Sequence, residues 1–172
     1  MEFTESSPAV TVFACANCAR TGQSFTQAAR SKQDFPDFNW PKSVQQVVVP
    51  CSGRLQPEHV LKAFESGSSI VAIIGCEEDN CHYLEGSMRC SRRVDYIRSI
   101  LNEIGLGDER LLFFRLPGSA AEDLMAASGK SSSEKESAES LNSKIADIFA
   151  KTMAALQVYP STPLRNEGCG HE

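Results

Sequence analysis

The chain has 172 residues, a mass of 18.8 kDa and a formal charge of −5, with a pI near 5.3. That length fits one domain with some chain left for tails, and the acidic balance gives no electrostatic reason to expect nucleic acid or an anionic membrane as partner. The opening residues 1–8 are polar and acidic, without the basic start and apolar stretch of a signal peptide, and no later apolar run nears the roughly 20 residues that span a bilayer; the expectation is a cytoplasmic protein with no membrane insertion.

Residues 1–8 read as an N-terminal tail, and an α/β domain is expected over 9–127. Its first strand is the run Thr11, Val12, Phe13, Ala14, which ends in Cys15. A moderate helix is expected from Ala19 to Gln33, then a loop from Phe35 to Pro41 whose prolines forbid helix continuation. Val47, Val48 and Val49 form a second strand that leads through Pro50 into Cys51 and the turn Ser52, Gly53, Arg54. Pro57 suits the first turn of a helix that carries Val60, Leu61 and Phe64 inward and stops at Gly67. The third strand, Ile70 to Gly75, runs into Cys76.

A polar loop from Glu77 to Gly86 follows, and then an amphipathic helix with Cys90, Val94, Ile97, Leu101 and Ile104 at spacings of three and four, ended by Gly105 and Gly107. Arg110 to Leu116 reads as a fourth strand, closed by Pro117 and Gly118. Residues 128–140, rich in Ser, Lys, Glu and Ala, read as a polar linker or insertion, 141–157 as a C-terminal helix and 158–172 as a flexible tail. Strands that alternate with helices predict a small doubly wound, parallel, four-stranded sheet with right-handed crossovers.

The recurrence that matters is that three short apolar runs each end in a cysteine. Short β-branched runs are typical of strands buried on both faces of a parallel sheet, where the ligand crevice lies beyond the carboxyl ends. Cys15, Cys51 and Cys76 would then meet in one crevice, joined by Cys18 and Cys81, which lie close to Cys15 and Cys76 in sequence. In a reducing compartment seven cysteines point to metal, cluster or thiol chemistry more than to structural disulfides. Four thiolates hold the usual iron–sulfur cluster, and helix N-termini supply free N–H groups and a positive dipole end that stabilise them.

Other residues read more plainly. Cys90 belongs to the apolar face of its helix, Cys169 beside His171 is incidental, and His59 is a surface residue. His82, next to Cys81, is either a loop residue or a neighbour that tunes a cluster. Arg89, Arg92, Arg93 and Arg98, offset in part by Glu85 and Asp95, form either a solvated face or a docking surface for an acidic partner.

Taken together, Phe13 to Cys18, Val49 to Arg54, Leu61 to Phe64, Gly75 to Cys76, Asp79 to Tyr83, Glu85 to Gly86 and Arg92 to Val94 closely resemble the delta subunit family of methyl-viologen-reducing hydrogenase over residues 9–116. The segments Cys51-Ser52-Gly53-Arg54 and Gly75-Cys76 followed by Cys81-His82-Tyr83 are the specific part. The resemblance implies an electron-transfer subunit with a 2Fe-2S cluster, placed between a reductase or hydrogenase module and a heterodisulfide-reductase-A-like flavoprotein. Such subunits occur in anaerobic complexes, those of class II benzoyl-CoA reductases among them, and no turnover by the isolated chain is expected. Carried over by motif, the candidates are Cys15, Cys18, Cys51, Cys76 and Cys81, with the first four favoured as ligands and Cys81 left as a spare or exchangeable thiol.

Two other readings compete. A structural zinc module also uses Cys-x2-Cys, but it needs two compact ligand pairs, whereas these cysteines terminate distant strands. The stretch Cys15 to Thr21 is similar to the phosphate loop of small tyrosine phosphatases and arsenate reductases, but Arg20 stands one residue too close to Cys15, and no later Asp-Pro pair supplies a general acid.

Overall fold

Parallel pairing needs strands that can be buried on both faces, and two of the four supply it. Strands β1 (Val10–Cys15) and β3 (Ile70–Cys76) are buried along their whole length. Strands β2 (Val44–Val49) and β4 (Leu111–Leu116) are only partly buried and form the two edges. The computed structural model describes residues 9–16, 41–78, 81–116 and 132–161, the last stretch with side chains from 143 onward.

The sheet order is β2-β1-β3-β4 and every pairing is parallel. From β1 the chain reaches β2 on one side and later β3 on the other, so the switch point of the topology lies between β1 and β3. In such sheets the crevice opens beyond the carboxyl ends of the two strands that flank the switch. Those ends carry Cys15 and Cys76.

Successive side chains of a strand point to opposite faces, and β3 shows it. Ile70, Ala72 and Ile74 face one layer, where Val10, Val12 and Leu116 meet Ile145 and Ile148 of the last helix, α3 (Ser132–Val158). Val71 and Ile73 face the other layer, packed with Val60 and Phe64 of α1 (Pro57–Glu65) and with Cys90, Val94, Ile97 and Leu101 of α2 (Gly86–Glu103). Helices therefore cover both faces, as the strand and helix alternation predicts.

The differences from expectation sit at element ends. Ile104, assigned to the apolar face of α2, lies just past its end and is 53% exposed, because the helix stops at Glu103 and Gly105 turns the chain with φ +76°. Arg110 belongs to a short helical turn (Asp108–Arg110) ahead of β4. The expected linker is helical from Ser132 onward, since α3 starts nine residues earlier than 141; Ala, Glu and Lys are good helix formers even where nothing apolar dictates burial. The tail begins later than expected, because the Arg110 guanidinium stacks 4.6 Å from the Tyr159 ring centroid and donates to the Ser161 carbonyl at 2.9 Å. The helix expected over Ala19 to Gln33, most of the Phe35 to Pro41 loop, and residues 128–131 and 162–172 lie outside the described residues. Among the described residues no helix is long and apolar enough to cross a membrane.

Candidate functional site

Two cysteines arrive on neighbouring strands. Because β1 and β3 are adjacent and parallel, their last residues Cys15 and Cys76 come together at one end of the sheet, with their Sγ atoms 3.9 Å apart. Both residues are 1% exposed. Cys51 follows β2, where extended backbone (φ −153°, ψ 138°) delivers the chain into the short helical turn Ser52–Arg54. Its Sγ accepts a hydrogen bond from the Gly53 backbone N–H at 3.4 Å, so the sulfur itself caps that turn. Cys81, from the loop between β3 and α2, is also buried.

What draws Cys51 and Cys81 together is the first residue of α2. A Cβ placed on Gly86 would lie 2.5 Å from Cys51 Sγ and 3.2 Å from Cys81 Sγ, so the bare glycine backbone is what leaves room for both sulfurs. Gly53 lies against the same backbone, since a Cβ there would come within 2.6 Å of the Gly86 carbonyl oxygen. The Cys51 turn and the start of α2 thus touch backbone to backbone. Ser87 Oγ donates a short hydrogen bond to the Cys76 carbonyl, which ties the same helix end to β3.

Four of the five sequence candidates therefore converge: Cys15, Cys51, Cys76 and Cys81. Cys18 lies outside the described residues, as do Cys169 and His171. Cys76 is disulfide-bonded, while Cys15, Cys51, Cys81 and Cys90 are free. Among the described residues no group of three or more His, Cys, Asp or Glu is arranged to hold a metal ion as it stands. With the Cys76 disulfide reduced, the donors suit a thiophilic metal: two thiolates on one tetrahedral centre with bonds of about 2.3 Å stand about 3.8 Å apart, close to the 3.9 Å between Cys15 and Cys76.

Burial pushes the Cys51 thiol above its ordinary value, the Gly53 N–H pulls it back in part, and the neighbouring Cys15 and Cys81 sulfurs push it up again. A bound cation would act in the opposite sense and favour the thiolate.

Cys90 was expected in the core, and it is there, 1% exposed. It also lies directly behind the site. Burial raises its thiol to about 11, the Ser52 hydroxyl and the Arg93 charge oppose the rise, and Cys51 and Cys15 reinforce it. Among the described residues Ser52 Oγ is buried with no partner at normal hydrogen-bonding distance, and its hydroxyl is one of the two groups that oppose the rise at Cys90.

The arginines divide. Arg89 pairs with Glu85 at 2.8 Å and Arg98 with Asp95 at 3.9 Å, both on the surface. Arg93 turns inward instead and donates through Nη1 to the carbonyls of Gly53, by a short bond, and Leu55, at 3.0 Å. The sequence does carry a signal for this: Gly86, Cys90 and Arg93 are spaced by four and three, which puts them on one helix face. His82 is exposed and edge-on to Tyr83 at 4.9 Å. His59 is on the surface as expected, where its Nδ1 accepts from the Gln56 N–H at 3.0 Å and caps α1. A cleft of about 500 Å³ opens beside Cys51, walled by Pro50, Arg54, Tyr83, Leu84 and Arg89.

Fold and site together define a doubly wound α/β domain that gathers cysteines at its switch point. Residues 10–135 match the family described as methyl-viologen-reducing hydrogenase, delta subunit (FlpD), and the chain belongs to that family. It is similar to the iron-sulfur D-type subunit of F420-non-reducing hydrogenase from Archaeoglobus profundus, 37% identical over 82 residues that cover 48% of this chain and 60% of the relative. It is 32% identical over 120 residues to the corresponding vhc iron-sulfur protein of Methanococcus voltae, covering 70% and 78%. It also resembles the A-type subunit of ferredoxin:CoB-CoM heterodisulfide reductase from Methanosarcina mazei, 33% identical over 104 residues, which is 60% of this chain but only 12% of that much longer protein.

Proposed function

We propose that this chain is the electron-transfer subunit of an oxidoreductase complex and that it carries a 2Fe-2S cluster. The observation that carries the reading is the convergence of Cys15, Cys51, Cys76 and Cys81 from three strand ends and one loop onto the N-terminus of α2. Cys15, Cys18, Cys51 and Cys76 are the proposed ligands, and Cys81 is a fifth sulfur within reach. When bound, the cluster supplies one-electron chemistry, with a potential set by hydrogen bonds to sulfur, local charge and solvent access.

The rest of the chemistry belongs to the chain. The Gly53 N–H points at Cys51 Sγ, the two-sided burial of β1 and β3 excludes water from Cys15 and Cys76, and the absence of a side chain at Gly86 leaves volume between sulfurs. The cleft beside Cys51 gives the buried group its route to the surface. The names of the relatives support the setting. Several are iron-sulfur subunits of a hydrogenase, and in the Methanosarcina protein a stretch like this one is part of a heterodisulfide reductase polypeptide. The partner proposed here is accordingly a heterodisulfide-reductase-A-like flavoprotein, with a hydrogenase or reductase module as the second contact.

Metal analysis of anaerobically purified protein tests the reading. About two irons and two acid-labile sulfides per chain, with visible charge-transfer absorption, are expected. Cys15→Ser, Cys51→Ser or Cys76→Ser should abolish iron loading, whereas Cys90→Ser should keep it. Equimolar zinc without a chromophore would overturn the proposal in favour of a structural zinc module.

A further inference from the structure

We propose that Arg93 is the positioning residue of this sulfur site: from α2 it clamps the Cys51 turn through two carbonyls and sets a fixed cation behind the sulfurs. The inference rests on the electron-transfer reading for its role, but its geometry stands apart from it.

The turn after Cys51 is held by few bonds of its own. Arg54 N–H donates to the Cys51 carbonyl and Leu55 N–H to the Ser52 carbonyl, each at 3.0 Å, and Gly53 N–H goes to the sulfur. The Gly53 and Leu55 carbonyls both accept from Arg93 Nη1. Gly53 cannot recede, because its α-carbon lies against the Gly86 backbone. The guanidinium therefore holds the Gly53–Arg54 peptide, which adjoins the Ser52–Gly53 peptide whose N–H reaches Cys51.

The same residue brings charge. Arg89 and Arg98 each spend theirs on a carboxylate, while Arg93 has no acidic partner among the described residues. It is half-buried, and its field already reaches the Cys90 thiol. Reduction adds one negative charge to a cluster, so a nearby unneutralised cation and an N–H aimed at sulfur both favour the reduced state.

The test compares wild type with Arg93→Met, which keeps the apolar stem, and Arg93→Lys, which keeps the charge. Arg93→Met should retain its iron and visible spectrum while its reduction equilibrium falls about tenfold, equivalent to about 59 mV for a one-electron couple. Arg93→Lys should recover more than half of that shift. An unchanged potential in Arg93→Met would overturn the inference. Amide hydrogen exchange at residues 53–55 provides a second readout that needs no cluster: exchange at least tenfold faster in Arg93→Met is expected, and unchanged exchange overturns the clamp. Should wild type bind no iron, the proposed function fails while the exchange result still decides for or against Arg93.

Discussion

Leu84 holds φ at +55° although it is a bulky residue, and it leaves 83% of its surface to solvent. A left-handed conformation costs an L-residue about 1–2 kcal/mol, and so little burial returns almost nothing. Leu84→Gly should therefore raise stability by about 0.5–1 kcal/mol after the entropy glycine adds to the unfolded chain is subtracted; a denaturant titration checks it. Gly86 behaves in the opposite sense. Alanine normally stabilises a helix relative to glycine by about 1 kcal/mol, but here its Cβ would lie 2.5 Å from Cys51 Sγ. Gly86→Ala should instead cost about 1–3 kcal/mol through overpacking and displace the Cys51 and Cys81 sulfurs. Thermal melting together with iron content of the variant measures both effects.

Among the elements, α2 does the most to build the site. Its buried face, Cys90, Val94, Ile97 and Leu101, seats it on β3, and its N-terminus meets the sulfurs. Leu101 is fully buried, at 0% exposure. Leu101→Ala should cost about 2–5 kcal/mol from lost transfer energy and the cavity left behind, measurable as a lower denaturant midpoint. Surface pairs such as Arg115–Glu78 (2.7 Å) and Lys144–Glu77 (3.1 Å) also connect elements, but both are partly exposed on each side. Solvent screening holds such pairs to no more than about 1 kcal/mol each, so the buried apolar face of α2 outweighs them in seating the helix.

At the scale of the molecule, burial of thiols links stability to pH. Cys90 rises from 9.0 to about 11 in the fold, and Cys51 also rises. A raised folded value means that the native state holds the proton more tightly than the unfolded chain. That stability is complete below about pH 9 and is lost as pH climbs toward about 11, by up to about 3 kcal/mol for a shift of this size. Unfolding of reduced, metal-free protein at pH 8 and pH 11 should show the loss, and Cys90→Ala should lessen it while costing some stability at pH 8 for the gap left by the missing sulfur.

Much of this molecule was legible in one dimension. Apolar β-branched runs of six or seven residues dictate buried strands, alternation with amphipathic segments dictates the parallel sheet, and the cysteines that end β1 and β3 and follow β2 could be read from where those runs stop. The family, too, was legible in the Cys51 and Cys76 motifs. Element ends were less so, because a helix stop such as Glu103 or a start such as Ser132 depends on local balances of a few tenths of a kcal/mol per residue. The sequence by itself determined which residues carry sulfur and that three strands deliver them. Only the tertiary structure decided that β1 and β3 are neighbours, which sets Cys15 and Cys76 at 3.9 Å, and that Arg93, forty residues from Gly53, turns inward onto its carbonyl. Both depend on strand order and helix docking, which arise from contacts between segments far apart in the chain and are written in no single stretch of it.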